Sequence, residues 1–360
     1  MISNVTINGR FLTRPSTGVD RFAIELLRAW LPHCRGKRKI RTMMPCAASG
    51  ADHKELELDI EHVGILKGHA WEQLDLPRHC RGEMLLNLCN TGPARRKRQL
   101  VVLHDASTIV NPQDFTAAFR SWYRWLFASL MKRASIVATV SEFSASELMR
   151  HVGGRGTNIE IVYESGEHIL RGEPDRRILH RLGIAERSYV LAVGNRAPNK
   201  NFLGVANAAA LLADMEIKVV AAGGSDSRVF AGTELAANNL IIAGYVTEGE
   251  LRALYEGANC FIYPSFYEGF GLPPLEAMHC GCPVIVSDRA AMPEVCGSAA
   301  LYCDPCDPAN IASQLRRVLT SRQLRTEMQE AGYERTRHFS WARAAAQFEE
   351  ILVSNRGVLA

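Results

Sequence analysis

The chain has 360 residues, a net charge of +4, 47% hydrophobic residues and 22% charged residues. That length allows two domains, and that composition is ordinary for a globular protein, which excludes a low-complexity or disordered chain. No apolar run approaches the roughly 20 residues of a membrane helix. The opening MISNVTINGR has no apolar signal-peptide core, so a cytosolic chain is expected.

Ten cysteines are scattered along the sequence and read as reduced, small apolar residues. Cys303-Asp-Pro-Cys306 has the spacing of half a zinc site. Cys280-Gly-Cys282 is one residue too tight to complete it, and no metal is expected. Charge is uneven: residues 1–165 carry 23 Lys+Arg against 16 Asp+Glu, and the remainder 19 against 22. Two basic clusters, Arg35 to Arg41 and Arg95 to Arg98, account for much of the excess. They read as solvated surface or, together, as a face for an anionic partner such as a membrane. No nucleic-acid motif accompanies them.

Taken in chain order, short apolar runs at 5–7, 39–44, 84–89, 99–105 and 135–142 read as strands, with helices at 21–31 and 114–133. After a charged, Gly/Pro-bearing stretch at 166–177 the scheme repeats. Runs at 189–194, 217–224, 240–246, 260–265 and 283–288 read as strands. Continuous β-branched runs imply strands buried on both faces, hence parallel sheets. Strand–helix alternation in both parts implies an α/β chain of two Rossmann-like domains. The expected domains are 1–168 plus a last helix at 341–360, and 169–340. Ligands of such folds bind at the C-terminal ends of the strands.

Each candidate motif follows a strand. RPSTGVDRF opens the first helix, where Gly18 allows close backbone approach and free N–H groups attract anions. Ordinary turn chemistry also explains one glycine. His104 ends VVLHD and is aimed to donate a hydrogen bond, although a lone histidine also packs as core. GNRAPNKN places Arg196 and Lys200 near a helix start, which suits a diphosphate or simply the surface. In YEGFGLPPLEAMHCG, Glu268 lies in a loop and Glu276 early in the next helix, with the amides of Gly269, Phe270 and Gly271 between. Carboxylates accept from vicinal hydroxyls, so this set suits a polyhydroxyl ligand. The competing reading of Glu276 is an exposed acid near a positive helix end.

YEGFGLPPLEAMHCGCPVIVSDRAAMPEV resembles the donor-binding signature of retaining glycosyltransferase family 4, with its E-x(7)-E pair as Glu268 and Glu276. LAVGNRAPNKN, GYVTEGELRALYEGANCFIYPS, VVLHDAS and TVSEFS agree. Trp71-Glu72-Gln73 with Leu76-Pro77 resembles bacterial members that assemble surface polysaccharides. The resemblance implies a GT-B fold, with two Rossmann-like domains facing across a cleft and the last helix crossing back to the first. It implies a nucleotide-sugar donor, GDP-mannose first and a UDP-sugar second, and no catalytic metal or separate cofactor. It implies that Glu276 holds the ribose, Glu268 the donor sugar, and the amides of Gly269 to Leu272 the sugar and diphosphate. Lys200 would neutralise the diphosphate, Gly18 would face the phosphates, and His104 would lie by the sugar. Two departures are Asn199 directly before Lys200 and Ser16-Thr17-Gly18 in place of paired glycines.

The acceptor implied is a glycan or polyprenyl-linked glycan. The stretch 115–133, with four cations among Trp122, Tyr123, Trp125 and Phe127, reads as a half-buried helix or as an interfacial one that reaches an anionic membrane. The competing function is a catalytically silent nucleotide-sugar-binding partner of another glycosyltransferase.

Overall fold

The computed structural model describes residues 4–14, 16–46, 56–153, 158–194, 197–215, 217–223 and 240–355. Arg196 lies outside them. The chain divides into two units: residues up to Glu164 together with the helix Trp341–Ser354, and Ser165–Ser340.

In the first unit the strands are β1 (Asn4–Asn8), β2 (Lys39–Pro45), β3 (Ile60–Val63), β4 (Met84–Asn87), β5 (Gln99–Val102), β6 (Ile136–Thr139) and β7 (Ile159–Ile161). They form one sheet in the order β3-β2-β1-β4-β5-β6-β7. All its pairings are parallel, with Val5 opposite both Ile40 and Met84. β1, β4, β5 and β6 are buried along nearly their whole length, as their unbroken apolar runs require. The edge strands β3 and β7 are not legible as apolar runs: IEHV and IEI alternate with charge and are only half-buried.

The helix Gly18–Cys34 buries Phe22, Leu26, Leu27 and Trp30. Trp341 and Phe348 of the last helix meet this face, with the Trp30 and Phe348 rings edge-on at 5.3 Å. Trp30 Nε1 donates to Glu349 Oε2 at 2.9 Å, so the indole N–H is satisfied where the ring is dry. Burying each Phe here contributes about 1.5–3 kcal/mol.

In the second unit the strands are β8 (Tyr189–Val193), β9 (Lys218–Ala222), β10 (Leu240–Gly244), β11 (Cys260–Tyr263), β12 (Val284–Ser287) and β13 (Ala300–Cys303). Their order is β10-β9-β8-β11-β12-β13, again all parallel. Asp307 caps the helix Pro308–Thr320 by accepting from Ala309 N at 2.9 Å, and Pro308 takes the first turn. The cysteines are free, and Cys303 is buried with its thiol on the Val286 carbonyl. Among the described residues no group of three or more His, Cys, Asp or Glu could hold a metal ion.

Each sheet has one place where strand order reverses: between β1 and β4 in the first unit, between β8 and β11 in the second. Loops leaving two neighbouring strands there turn to opposite faces and open a crevice, which is where ligands of parallel sheets bind.

Candidate active site

At the reversal in the second unit, the loop after β8 and the loop after β11 are stitched together. Asn199 O accepts from Phe266 N at 2.8 Å, and its amide donates to Tyr267 O at 3.0 Å. Asn201 adopts a left-handed φ of 55°, which asparagine tolerates better than most residues. Its amide donates to Pro264 O and Pro305 O, and its oxygen caps the helix Phe202–Ala210 at Gly204 N. Asn199 and Asn201 thus fix the backbone on both sides of Lys200.

Lys200 Nζ donates to Glu268 Oε1 at 2.6 Å and to Tyr263 Oη at 2.8 Å. Burial works against the lysine charge, but Glu268 and then Tyr263 outweigh it and raise its pKa, so it stays protonated. Burial also raises the Tyr263 phenol, helped by Glu268, which keeps it a neutral donor or acceptor. Ser265 Oγ sits between Glu268 Oε1 and the Asn199 carbonyl. An ammonium has three donors, and two are used here, so one remains to meet an anion. The side chains of Lys200 and Glu268 are 17% and 13% exposed, which leaves both reachable.

Gly271 starts the helix Leu272–His279 with φ 117°, a conformation that favours glycine, and a Cβ there would lie 2.3 Å from Met292 Cε. Pro273 and Pro274 occupy the first turn and carry no N–H. The amides of Gly269, Phe270, Gly271 and Leu272 therefore dominate the donors at this end. Phe270 is anchored edge-on against Phe339 at 5.7 Å.

Glu276 is not an exposed helix acid. It is 7% exposed. Its Oε1 accepts from His168 Nε2 at 2.9 Å and its Oε2 from Tyr255 Oη at 3.1 Å. Burial, followed by the Glu276 charge, raises the Tyr255 phenol well above its ordinary range, so it remains a donor. His168 reaches Glu276 because Gly166 lets two backbones touch: a Cβ at Gly166 would lie 2.5 Å from Glu276 N. Tyr263, Ser265, His168 and Tyr255 were not legible as site residues. His168 and Glu276 are 108 positions apart, and only the fold joins them.

The other two expected site residues lie in the first unit. His104 is 4% exposed; its Nε2 meets Leu88 O at 2.9 Å and its Nδ1 lies 3.4 Å from Glu164 Oε1. The Phe22 ring packs edge-on against it at 4.8 Å. Gly18 begins its helix with open space where a Cβ would stand, and Asp20 accepts from Thr17 N and Oγ1.

A model of the group 1 glycosyl transferases matches residues 176–335, which contain Lys200, Tyr255, Tyr263, Ser265, Glu268, Gly271 and Glu276. Over 270 residues the chain is 31% identical to O-antigen chain mannosyltransferase B of Escherichia coli, covering 71% of this chain and 70% of that protein. The chain belongs to the group 1 glycosyltransferases. It is also 26% identical over 271 residues to the serotype-specific mannosyltransferase WbdA of Escherichia coli. That match takes in 69% of this chain, which spans about a third of WbdA, 32% of its length. The structure of HepE from Anabaena in complex with UDP and glucose matches 98% of this glycosyltransferase and 100% of that chain, with a TM-score of 0.74 at 16% identity. At that identity the likeness shows the fold, which is GT-B, with two Rossmann-like units.

Proposed function

We propose that this glycosyltransferase moves a mannosyl residue from GDP-mannose to a glycan of a surface polysaccharide, with retention of anomeric configuration. The observation that carries the reading is the half-buried Lys200–Glu268 pair, set on neighbouring loops at the sheet reversal. The mannosyltransferase names of its relatives support the choice of sugar.

In this reading Glu276, oriented by His168 and Tyr255, holds the ribose. Glu268 accepts from hydroxyls of the donor sugar. The free donor of Lys200, with Arg196 and the amides of Gly269 to Leu272, meets the diphosphate and stabilises the charge that grows as the anomeric bond breaks. Gly18 and His104 are assigned from the first unit to the phosphates and the sugar. Retention through a glycosyl-enzyme would need a free carboxylate nucleophile. Glu268 is already bound to Lys200 and Ser265. Substitution on the same face, with the leaving diphosphate taking the acceptor's proton, fits this better.

The test is direct. Thermal stabilisation by GDP above that by UDP supports the donor, because a ligand stabilises the fold according to its affinity. Proton NMR of the product made from GDP-mannose reads the anomeric configuration. A preference for UDP, or an inverted product, overturns the corresponding part.

The acceptor assigned is a glycan, free or polyprenyl-linked. The helix Ala117–Arg133 supports a peripheral contact with the inner membrane face. It buries Leu126, Phe127, Leu130 and Met131 but leaves Trp125 and Phe119 exposed, beside Arg120 and Arg124. Among the described residues no helix is long and apolar enough to cross a membrane. Sedimentation with anionic vesicles at low salt tests the contact, and absence of binding removes it.

A further inference from the structure

Tyr189, Tyr255 and Tyr263 are all enclosed within the second unit, none more than 2% exposed. Phenylalanine would fill the same space with no hydroxyl to desolvate, so what each hydroxyl meets is informative. Tyr189 Oη donates to the Leu254 carbonyl at 2.7 Å, a bond from strand to helix that serves the fold. The other two end on ionisable side chains of the donor arrangement. Tyr255 Oη donates to Glu276 Oε2 at 3.1 Å, and Tyr263 Oη accepts from Lys200 Nζ at 2.8 Å.

The two phenols are joined through a third ring. Phe261 and Tyr263 stand two residues apart on β11 and so project from the same face of the sheet. Their rings stack at 5.6 Å with 26° between the planes. The Tyr255 ring, carried by the helix Glu248–Gly257, meets Phe261 edge-on at 5.4 Å. β11 is paired on both sides, with Phe261 opposite Leu191 and Val284, and Tyr263 opposite Val286. Close-packed rings on a paired strand have little room to shift. A continuous row therefore runs from the Glu276 carboxylate to the Lys200 ammonium.

Lys200 has a use for such an anchor. Its other partner, Glu268 Oε1, is shared with Ser265 Oγ. In the donor reading Glu268 turns to accept from sugar hydroxyls and gives up part of its hold on the ammonium. Tyr263 has no second task of that kind. Its ring also lies 5.3 Å from Nζ, within range of a cation–π attraction.

We propose that Tyr263 and Tyr255 are positioning residues for the transfer. Tyr263 holds the Lys200 ammonium in place when Glu268 engages the sugar, Tyr255 holds the Glu276 carboxylate, and Phe261 keeps the two anchors at a fixed spacing. This rests on the reading of Lys200, Glu268 and Glu276 as the donor grip.

The test uses the full chain with donor and acceptor both varied. Tyr263→Phe keeps the ring and removes the oxygen. Lys200 is assigned to charge that grows in the transition state, so kcat is expected to fall about tenfold at nearly constant donor KM. Tyr255→Phe loosens a contact made equally in the ground and transition states, so donor KM should rise about tenfold at nearly constant kcat. Acceptor KM stays at its wild-type value in both. Phe261→Leu opens the row and leaves both hydroxyls; it should show the two signatures together, about threefold each. Tyr189→Phe is the control, expected to lower the melting temperature and leave kcat and both KM values alone. The proposal is overturned by kcat within about twofold of wild type in Tyr263→Phe, by donor KM within about twofold in Tyr255→Phe, or by unaltered constants in Phe261→Leu. If Phe261→Leu fails to fold, the other two variants decide. If the wild-type chain transfers no sugar, or Lys200→Met turns over normally, the donor reading fails first. Proton–nitrogen NMR of the lysine ammonium groups then decides, with the Lys200 signal assigned by its loss in Lys200→Met. A Lys200 signal broadened by solvent exchange in Tyr263→Phe keeps the tether, whereas an unchanged signal, or none with wild type, overturns it.

Discussion

The two strand reversals solve the same problem differently. In the second unit the cation and the carboxylate come from loops that directly follow β8 and β11, and both remain partly reachable. In the first unit the cation, Arg10, follows β1, but the carboxylate arrives from a π-turn outside the strand loops and is wholly enclosed. A reachable pair can trade its partner for a ligand. The enclosed carboxylate of Glu72 is held by three donors on one oxygen, with His69 3.5 Å from the other. The difference teaches that similar residue types at equivalent places in two sheets need not share a role.

Lys200→Met should separate the two most sharply. It removes the cation proposed to meet the donor and strands Glu268, and kcat/KM is expected to fall on the order of 10²–10³-fold with acceptor KM unchanged. Steady-state kinetics with both substrates varied checks this, and an equal rise in both KM values would erase the distinction between the units. Glu268→Gln keeps shape and loses charge. Its expected cost is about 1.5–3 kcal/mol in kcat/KM, and full turnover at saturating donor would remove its assigned role.

Gly166→Ala forces a Cβ against the Glu276 backbone. A loss of about 1–3 kcal/mol in urea denaturation is expected, together with weaker GDP binding, because His168 moves off Glu276. Unchanged stability would show that the loop yields freely. The smallest effect is on pH. Burial, with the neighbouring His168 charge, lowers the His279 pKa to about 4. The unfolded imidazole protonates near pH 6.5, so the unfolded chain binds more protons between the two values. Stability from this residue is complete above about 6.5 and is lost as pH falls towards 4. His279→Gln should flatten that slope in far-ultraviolet circular dichroism. All five tryptophans lie in the first unit, so their fluorescence follows that unit by itself.

The fold was legible wherever strands are buried on both faces. YVLAV and CFIY announce themselves because nothing polar can be tolerated there. β3 and β7 do not, since an edge strand is half wet and IEHV looks like a loop. Of the proposed site, Glu268, Glu276 and Lys200 stand out in the sequence as charged residues in the segments that follow buried strands. The partners of Glu276 do not. His168 falls in a stretch that reads as a domain boundary, and Tyr255 reads as helix core. Their meaning lies in distance through space, which a linear pattern does not carry.

The packing of Trp341–Ser354 onto Gly18–Cys34 has a consequence for how the protein is made. Trp30 waits for Glu349, 319 positions later, before its indole is satisfied. The second unit is continuous and is complete in sequence before that helix leaves the ribosome, whereas the first must hold its surface open through nearly all of synthesis. Its aromatic face is then a natural client for a chaperone, and slowing translation should prolong exposure of the first unit far more than of the second.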